Sequence, residues 1–383
     1  MEQVIYMSVV EKALNDFIII SSLWQQHKNE LEISKLLEEK IRRNGSRLTV
    51  CDKGELQDKL KNRVNKFKNL LMDYEYVPKL IVDLENIVKA IDTAAGFDQA
   101  KSNCKELYWL GQFLGSEKTI AEGIAIYEVL KHDKYNESMD AAEKAVDELA
   151  SALKNIYGHS YVVTAKVRST ITAGRGFMDM ITEYGLSWDP VLDLPYIPAS
   201  ELKGAVRSLV LKASALKAKR EGFKVSLDLF GKARGKVLSE NKDADEYEVF
   251  SKLLGDNFVV EDTEEHLGEL VFTDAYPVQA PDNLPVELMV LTPHYTSNVK
   301  QEYEVKPTPL RYLGISRKTL LKFAVGVTKD GIDVLGKIAS KLDLKVQPDQ
   351  LLKSMINDAL AIGIGRRTSK GMGRMEIEKW EVK

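Results

Sequence analysis

Arg366, Arg367 and Lys370 stand beside Thr368 and Ser369 in a stretch, Leu360 to Met375, that also holds Gly363, Gly365, Gly371 and Gly373. This combination suits anion recognition. The cations supply charge, and the hydroxyls are donors of the kind that hold phosphates. The glycines let a backbone approach a ligand or take positive φ, with N–H groups available to an anion. Known nucleotide motifs fit badly. A dinucleotide fingerprint requires a third glycine at 368, where Thr368 stands, and runs from strand to helix, whereas here the order is helix, loop, strand. A Walker loop would end in Gly-Lys-Ser/Thr, which this stretch lacks. Taken alone, the segment also reads as a glycine-rich turn with solvated charges.

A second dense motif runs from Leu194 to Arg207, Leu-Pro-Tyr-Ile-Pro-Ala-Ser-Glu-Leu-Lys-Gly-Ala-Val-Arg. Ser200 is the expected N-cap of a helix, and Glu201 complements the positive end of its dipole. Leu202, Val206, Leu209, Ala213 and Leu216 are the expected docking stripe. Lys203 and Arg207 lie four apart near the helix start, which costs a few tenths of a kcal/mol in an isolated helix. An anion held between them removes that cost. Gly204 costs about 1 kcal/mol relative to alanine, which makes sense if the glycine-rich loop or a sugar-phosphate must come close. The plainer reading is a capped amphipathic helix with solvated lysines.

The elements around these motifs fall into two territories. The chain has 383 residues, 44% apolar and 29% charged, with a net charge of −3. That is an ordinary globular composition and argues against a generic polyanion binder. Charge is uneven, however. Residues 203–236 hold ten Lys/Arg and two Asp/Glu. Cys51 and Cys104 are too few for a disulfide framework or a zinc cluster, so a reducing cytoplasm is expected, with no cofactor and no metal. No signal peptide or bilayer-spanning run is read, and no membrane partner is expected.

Of eleven prolines only Pro78 precedes residue 190. Residues 1–157 read as an all-α extension, with helical spacing in Val9, Ala13, Phe17 and Ile20, in Leu56 to Leu71, in Ile81 to Ile91, and in Ala141, Ala145, Leu149 and Leu153. A break is expected near Asn44-Gly45. From 158 to 383 the texture is α+β. Strands are expected at Ser160–Thr172, Leu267–Thr273, Val286–Thr292, Leu320–Val327 and Arg374–Val382, with helices at Ser200–Ala218, Ile332–Leu342 and Asp349–Ile362. This order predicts a ferredoxin-like, RRM-like sheet backed by two helices, with long polar insertions at 219–266 and 293–319.

The two motifs on this frame resemble the RAMP superfamily of CRISPR RNA-binding proteins. Ile197-Pro198-Ala199-Ser200-Glu201-Leu202-Lys203-Gly204-Ala205-Val206-Arg207 is similar to that family's Ile-Pro-Gly-Ser-Ser-x-Lys-Gly-x-x-Arg signature, with Ala199 and Glu201 as departures. Gly363 to Gly373 resembles its C-terminal glycine-rich loop, Leu229-Phe230-Gly231 its Leu-Phe-Gly turn, and Gly268 to Ala275 its Gly-x-Leu-x-Phe-x-Asp-Ala strand. Leu291-Thr-Pro-His-Tyr295 with Pro307–Leu313 looks like the sixth-subunit branch of the Cmr series in type III-B effector complexes. The likeness covers about 158–383 and leaves 1–157 unmatched.

It implies a non-catalytic subunit that binds crRNA beside target RNA, at the 3′ end of the guide, and caps a filament of other Cmr-type RAMP subunits. Ser200, Lys203, Gly204, Arg207, His294, Tyr295, Gly363, Gly365, Arg366, Arg367, Thr368, Ser369, Lys370, Gly371 and Gly373 are the implied RNA-binding residues. The loop 295–312 resembles a "thumb" hairpin, and Tyr295, Tyr303 and Tyr312 are stacking candidates, with core packing an equal reading for Tyr312. Such proteins grip backbone and shape, because base pairing reads the sequence.

Three alternatives stay open. One is a repeat-processing ribonuclease using His294, although spacing forces no titrating partner beside it. Another is the type III-A capping counterpart. The last is an assembly module whose basic loops bind nothing. Asp179 and Asp189 carry no paired-carboxylate pattern, and Asp274 is expected to satisfy backbone amides or orient an arginine.

Overall fold

The computed structural model describes residues 8–26, 41–44, 47–51, 132–176, 185–217, 219–232, 266–291, 310–341 and 343–383, with single positions between 58 and 130 and Thr182. They divide into two compact units, 1–131 and 132–383.

In the first unit, helix α1 (Val9–Gln26) opens on a capping box. The Glu11 N–H donates to the Ser8 hydroxyl at 3.2 Å, and the Ser8 N–H donates to the Glu11 carboxylate at 3.0 Å. Strands β1 (Ile41–Asn44) and β2 (Arg47–Cys51) pair antiparallel, with Asn44 opposite Arg47. The extension is therefore not all helix. The Asn-Gly break lies between two strands, where β-formers such as Ile41, Thr49 and Val50 flank a turn signal. The side chains of the Leu56–Leu71 and Ile81–Ile91 stripes lie outside the described residues.

The second unit begins with α2 (Tyr135–Tyr157), which the sequence reading places in the extension. Its buried stripe is Tyr135, Met139, Ala142, Val146 and Ala150, one residue on from the expected Ala141, Ala145 and Leu149. Val146 and Ala150 pack on Val162 and Ala324 of the sheet. Lys322, 5% exposed, donates to Glu143 and Asp147 at 2.9 Å each. An apolar helix face needs an apolar partner, and the sheet is that partner. The compact unit accordingly starts at His132 rather than at 158.

After β3 (His159–Val167) come the short pair β4 (Trp188–Asp189) and β5 (Leu194–Pro195), then helices α3 (Ala199–Lys217) and α4 (Lys219–Phe230). Strands β6 (Gly231–Lys232) and β7 (His266–Leu267) pair, followed by β8 (Leu270–Phe272) and β9 (Tyr276–Gln279). The chain continues through β10 (Val286–Leu291), β11 (Leu310–Ile315), β12 (Leu320–Val327), α5 (Lys329–Lys341), α6 (Pro348–Ile362) and β13 (Met375–Val382).

The main sheet runs β13-β3-β12-β8, with β9 also on β12, and every neighbouring pair is antiparallel. Its two faces are both closed. Val162 and Ala324, opposite each other, lie under α2. Val163 and Phe323, opposite each other on the alternate face, are fully buried on the side where Asp349 of α6 lies near Tyr161.

Three expectations change here. Val286–Leu291 does not join this sheet but pairs with β11, from Val286 opposite Ile315 to Leu291 opposite Leu310. Part of the expected polar insertion after 219 is the helix α4, whose Leu227, Leu229 and Phe230 are buried. On α3, Leu202, Val206, Val210 and Leu211 are buried, Leu209 is half-buried and Ala213 is exposed.

Candidate nucleic-acid interface

Helix α3 starts one residue earlier than expected, and its cap comes from elsewhere in the chain. Ala199 is its first residue, and the Ala199 N–H donates to the Asp274 carboxylate at 2.7 Å. Ser200 is thus an exposed first-turn residue and not the cap. A carboxylate at the positive helix end satisfies an orphan amide and the dipole together. Ile197 and Ala275 form a two-way backbone bridge at 3.0 and 2.9 Å, so the start of α3 is tied to the Asp-Ala strand end. The Leu-Phe-Gly turn meets the same strand. A Cβ on Gly268 would stand 2.3 Å from the Phe230 carbonyl carbon and 2.5 Å from the Gly231 nitrogen.

The glycine-rich loop is held from below by the segment that follows β3. The Gly373 N–H donates to the Thr170 carbonyl at 3.0 Å and the Arg366 N–H to the Thr172 carbonyl at 2.8 Å. Gly363, Gly365, Gly371 and Gly373 all have positive φ. At three of them a side chain would strike backbone, and a Cβ on Gly363 would lie 2.8 Å from the Met372 oxygen. A Cβ on Gly365 would lie 2.3 Å from the Thr172 oxygen, and one on Gly373 2.0 Å from the Ile364 oxygen. These glycines therefore admit neighbouring backbone, where the sequence reading allowed a ligand. The N–H groups of Gly363, Ile364, Arg366, Lys370, Gly371, Met372 and Gly373 donate within the protein. Most of the loop's amides are spent on its own shape, which corrects the expectation of a glycine cradle for an anion.

What remains for a ligand is the rim. Ser369 and Lys370 are exposed and Thr368 is half-buried. Arg367 adopts the left-handed conformation, φ 61°, and its guanidinium lies 5.8 Å from the Tyr312 ring centroid. Tyr312 is 2% exposed, with its hydroxyl on the Met372 sulfur at 3.6 Å, so it packs in the core and is not a base-stacking platform. His294, Tyr295 and Tyr303 lie outside the described residues.

The two motifs converge on Gly174. Its N–H donates to Glu201 Oε1 at 2.6 Å, and its carbonyl accepts from Arg366 Nη2 at 3.1 Å. The helix start and the glycine loop thus share one residue as hinge pin. Lys203, one turn into α3, is half-buried, and its pKa is lowered by burial and then by the nearby Arg207 charge. Arg207 is also half-buried. Two partly desolvated cations on one helix face favour an anion at that place. Gly204, between them, is exposed, and a Cβ there would meet nothing within 4 Å. The glycine loop does not press on it, so the surface is open.

Sequence reasoning missed Gly174 as the junction. The run Ala173-Gly174-Arg175-Gly176 was the available signal, a glycine pair around a cation directly after a strand. Gly174 has φ 75°. Asp274 behaves as expected, accepting a backbone amide. Asp189 is structural, since its carboxylate accepts the Val191 N–H at 2.8 Å and the Tyr276 hydroxyl at 2.8 Å. Among the described residues no group of acidic, histidine or cysteine side chains could hold a metal, and no helix is long and apolar enough to cross a membrane.

The chain is an α+β protein with an antiparallel sheet, in which the helix-start motif and the glycine loop are joined at Gly174. Residues 165–376 match the RAMP superfamily, and the chain belongs to it. Over 245 residues it is 28% identical to a CRISPR system CMR subunit, Cmr6, of Saccharolobus solfataricus, covering 63% of this chain and 66% of that protein, just under two thirds of the relative's length. Among solved structures it is similar to a chain in the cryo-EM structure of the type III-B Cmr-beta bound to cognate target RNA, with TM-score 0.49, 19% identity, and 95% and 98% of the two chains covered. It is also similar to the crystal structure of Cmr6 from Pyrococcus furiosus, with TM-score 0.31, 21% identity, and 57% and 98% covered.

Proposed function

We propose that this chain is a non-catalytic RNA-binding subunit of a type III-B CRISPR (Cmr) RNA-guided interference complex. It grips the 3′ part of the crRNA, stays beside the target RNA, and caps a filament of related subunits in the cytoplasm. The observation that carries the reading is the junction at Gly174, which joins the Lys203 helix start to the Arg366 loop in one place. The sequence likeness to a Cmr6 protein supports the same assignment.

Reading β3, the β8–β9 pair, β12 and β13 as successive strands puts the fourth beside the first and the first beside the third, which supports a ferredoxin-like frame within 158–383. Because α2 and α6 close its faces, RNA meets loops and helix ends instead of the sheet. The antiparallel pairing of β10 with β11 supports a thumb hairpin built on the segment between them. Binding of this kind is salt-dependent and largely blind to sequence.

The test is purification of the tagged chain from its host, with nuclease protection of the associated RNA. Related subunits and guide RNAs of uniform length are expected. Charge reversal at Lys203 and Lys370 together should expose the guide's 3′ segment to nuclease while the complex stays assembled. Unchanged protection would leave only an assembly module. His294→Ala should leave guide maturation and target cutting intact, and loss of cutting in an assembled complex would make the chain a nuclease.

A further inference from the structure

Among the arginines whose side chains are described, Arg175 and Arg374 are the two that make no side-chain hydrogen bond, ion pair or ring contact. Arg168 pairs with Glu376 and Arg317 with Glu287, Arg366 donates to Gly174, Arg367 covers Tyr312, and Arg207 and Arg311 are also engaged. Arg175 and Arg374 are exposed. Neither belongs to the two sequence motifs' recognised positions.

Their backbones, by contrast, are held firmly. Arg374 accepts from the N–H groups of Arg168 and Ser169 at 2.8 and 3.2 Å, and its own N–H donates to Ser169 Oγ at 2.9 Å. On the Arg175 side, Gly174 is gripped by Glu201 and Arg366, and the Arg175 carbonyl accepts from Ser187 Oγ at 3.3 Å. A Cβ on Gly174 would sit 1.7 Å from Ser187 Oγ, so this support is close-packed. Each arginine is therefore a free guanidinium on a fixed root. Such a group loses little backbone entropy on binding and presents a planar fork that matches phosphate oxygens.

The two roots stand at opposite ends of one segment. Arg374 lies against Arg168 and Ser169, and Arg175 follows Gly174, with Thr170 and Thr172 hydrogen-bonded to the glycine loop between them. Six residues span at most about 20 Å, so the two roots lie within the reach of a few successive phosphates of one strand. Resting on the function proposed above, we propose that Arg175 and Arg374 are two outer phosphate clamps, holding a single RNA strand by its backbone at either end of the path across the glycine loop.

The full chain is titrated with a fluorescein-labelled single-stranded RNA at several salt concentrations. Arg175→Ala and Arg374→Ala should each weaken binding and flatten the slope of log K against log salt by about 0.7, the value for one phosphate contact on a single strand. Their melting temperatures should match the parent, since both side chains are exposed. Arg175→Lys should restore the slope but not the whole affinity, because an ammonium keeps the charge and loses the fork.

Two results would overturn the proposal. If both alanine variants keep the parental slope while Lys203→Ala lowers it, the clamps are wrong and the RNA-binding reading stands. If the alanine variants bind RNA normally but lose a co-purifying subunit after ribonuclease treatment, the arginines serve an acidic protein surface instead. If Lys203→Ala too leaves the slope unchanged, the broader functional reading falls.

Discussion

Glu201 and Arg366, 165 positions apart, hold the same residue from its two sides: Gly174 gives its N–H to Glu201 Oε1 at 2.6 Å and takes the Arg366 guanidinium on its carbonyl at 3.1 Å. The family-like signature places serine where this chain has Glu201. Here the longer carboxylate reaches an amide outside its own helix. An anionic acceptor makes a stronger hydrogen bond than a hydroxyl does.

Gly174→Ala is expected to disrupt both motifs at once. The new methyl would meet Ser187 Oγ at 1.7 Å, and φ 75° disfavours any side chain. A cost of about 1–3 kcal/mol is expected from the backbone conformation, before the clash is counted. Thermal unfolding measures it, and guide protection should fall in step. An unshifted melting curve would mean that Ser187 and its neighbours yield freely.

Gly204→Ala separates stability from binding. In open space on a helix it should stabilise by about 1 kcal/mol, raising the melting temperature. If the RNA backbone comes close at that place, affinity should drop although the protein is more stable. A variant that melts higher and binds as well as the parent would remove Gly204 from the interface.

Lys203 links pH to stability. Its folded pKa lies below the usual lysine value because of burial and, second, the Arg207 charge. The folded state therefore releases that proton at lower pH than the unfolded chain does. The destabilising charge is fully present below the folded pKa and is relieved as pH rises toward 10.5, the ordinary value. Lys203→Gln should raise the melting temperature at pH 7, with the advantage shrinking at alkaline pH. RNA binding should weaken in the same variant. A lower melting temperature at pH 7 would show that the ammonium stabilises the fold.

Lys322 anchors α2 with the opposite sign. Burial lowers its pKa, but hydrogen bonds to Glu143 and Asp147 outweigh this and raise it above the usual lysine value. Its contribution is fully present below the unfolded pKa and is lost as pH rises through the folded one. Lys322→Ala should destabilise by about 1–3 kcal/mol, below the range for a fully buried pair because Glu143 and Asp147 are 49% and 38% exposed. Hydrogen exchange should report the loss first in α2. Uniform loss over the whole unit would mean that the helix and sheet open together.

Much of the second unit was legible in the sequence because its signals are local. Alternation around Val162 and Val325, the proline before Ala199, and the glycines after Ile362 each announce an element within a few residues. Boundaries shifted where a distant group intervened. Ser200 looked like the cap of α3 until Asp274, 75 positions from Ala199, took that role. The strand at Val286–Leu291 was recognised, but its partner was not, since alternation fixes a strand's faces and leaves its neighbour open. Helix α2 read as part of the extension because an amphipathic stripe does not name the surface that covers it.

By itself, the amino-acid order determined the classes of element, the cations and glycines, and the family they belong to. Only the tertiary structure decided that Gly365 and Gly373 admit neighbouring backbone, that both sheet faces are covered, and that Gly174 joins the helix start to the loop. The reason is that propensity and periodicity act over a few residues, whereas hydrogen bonds such as Arg366 to Gly174 and close approaches such as Gly365 to Thr172 exist only once segments nearly two hundred residues apart are brought together.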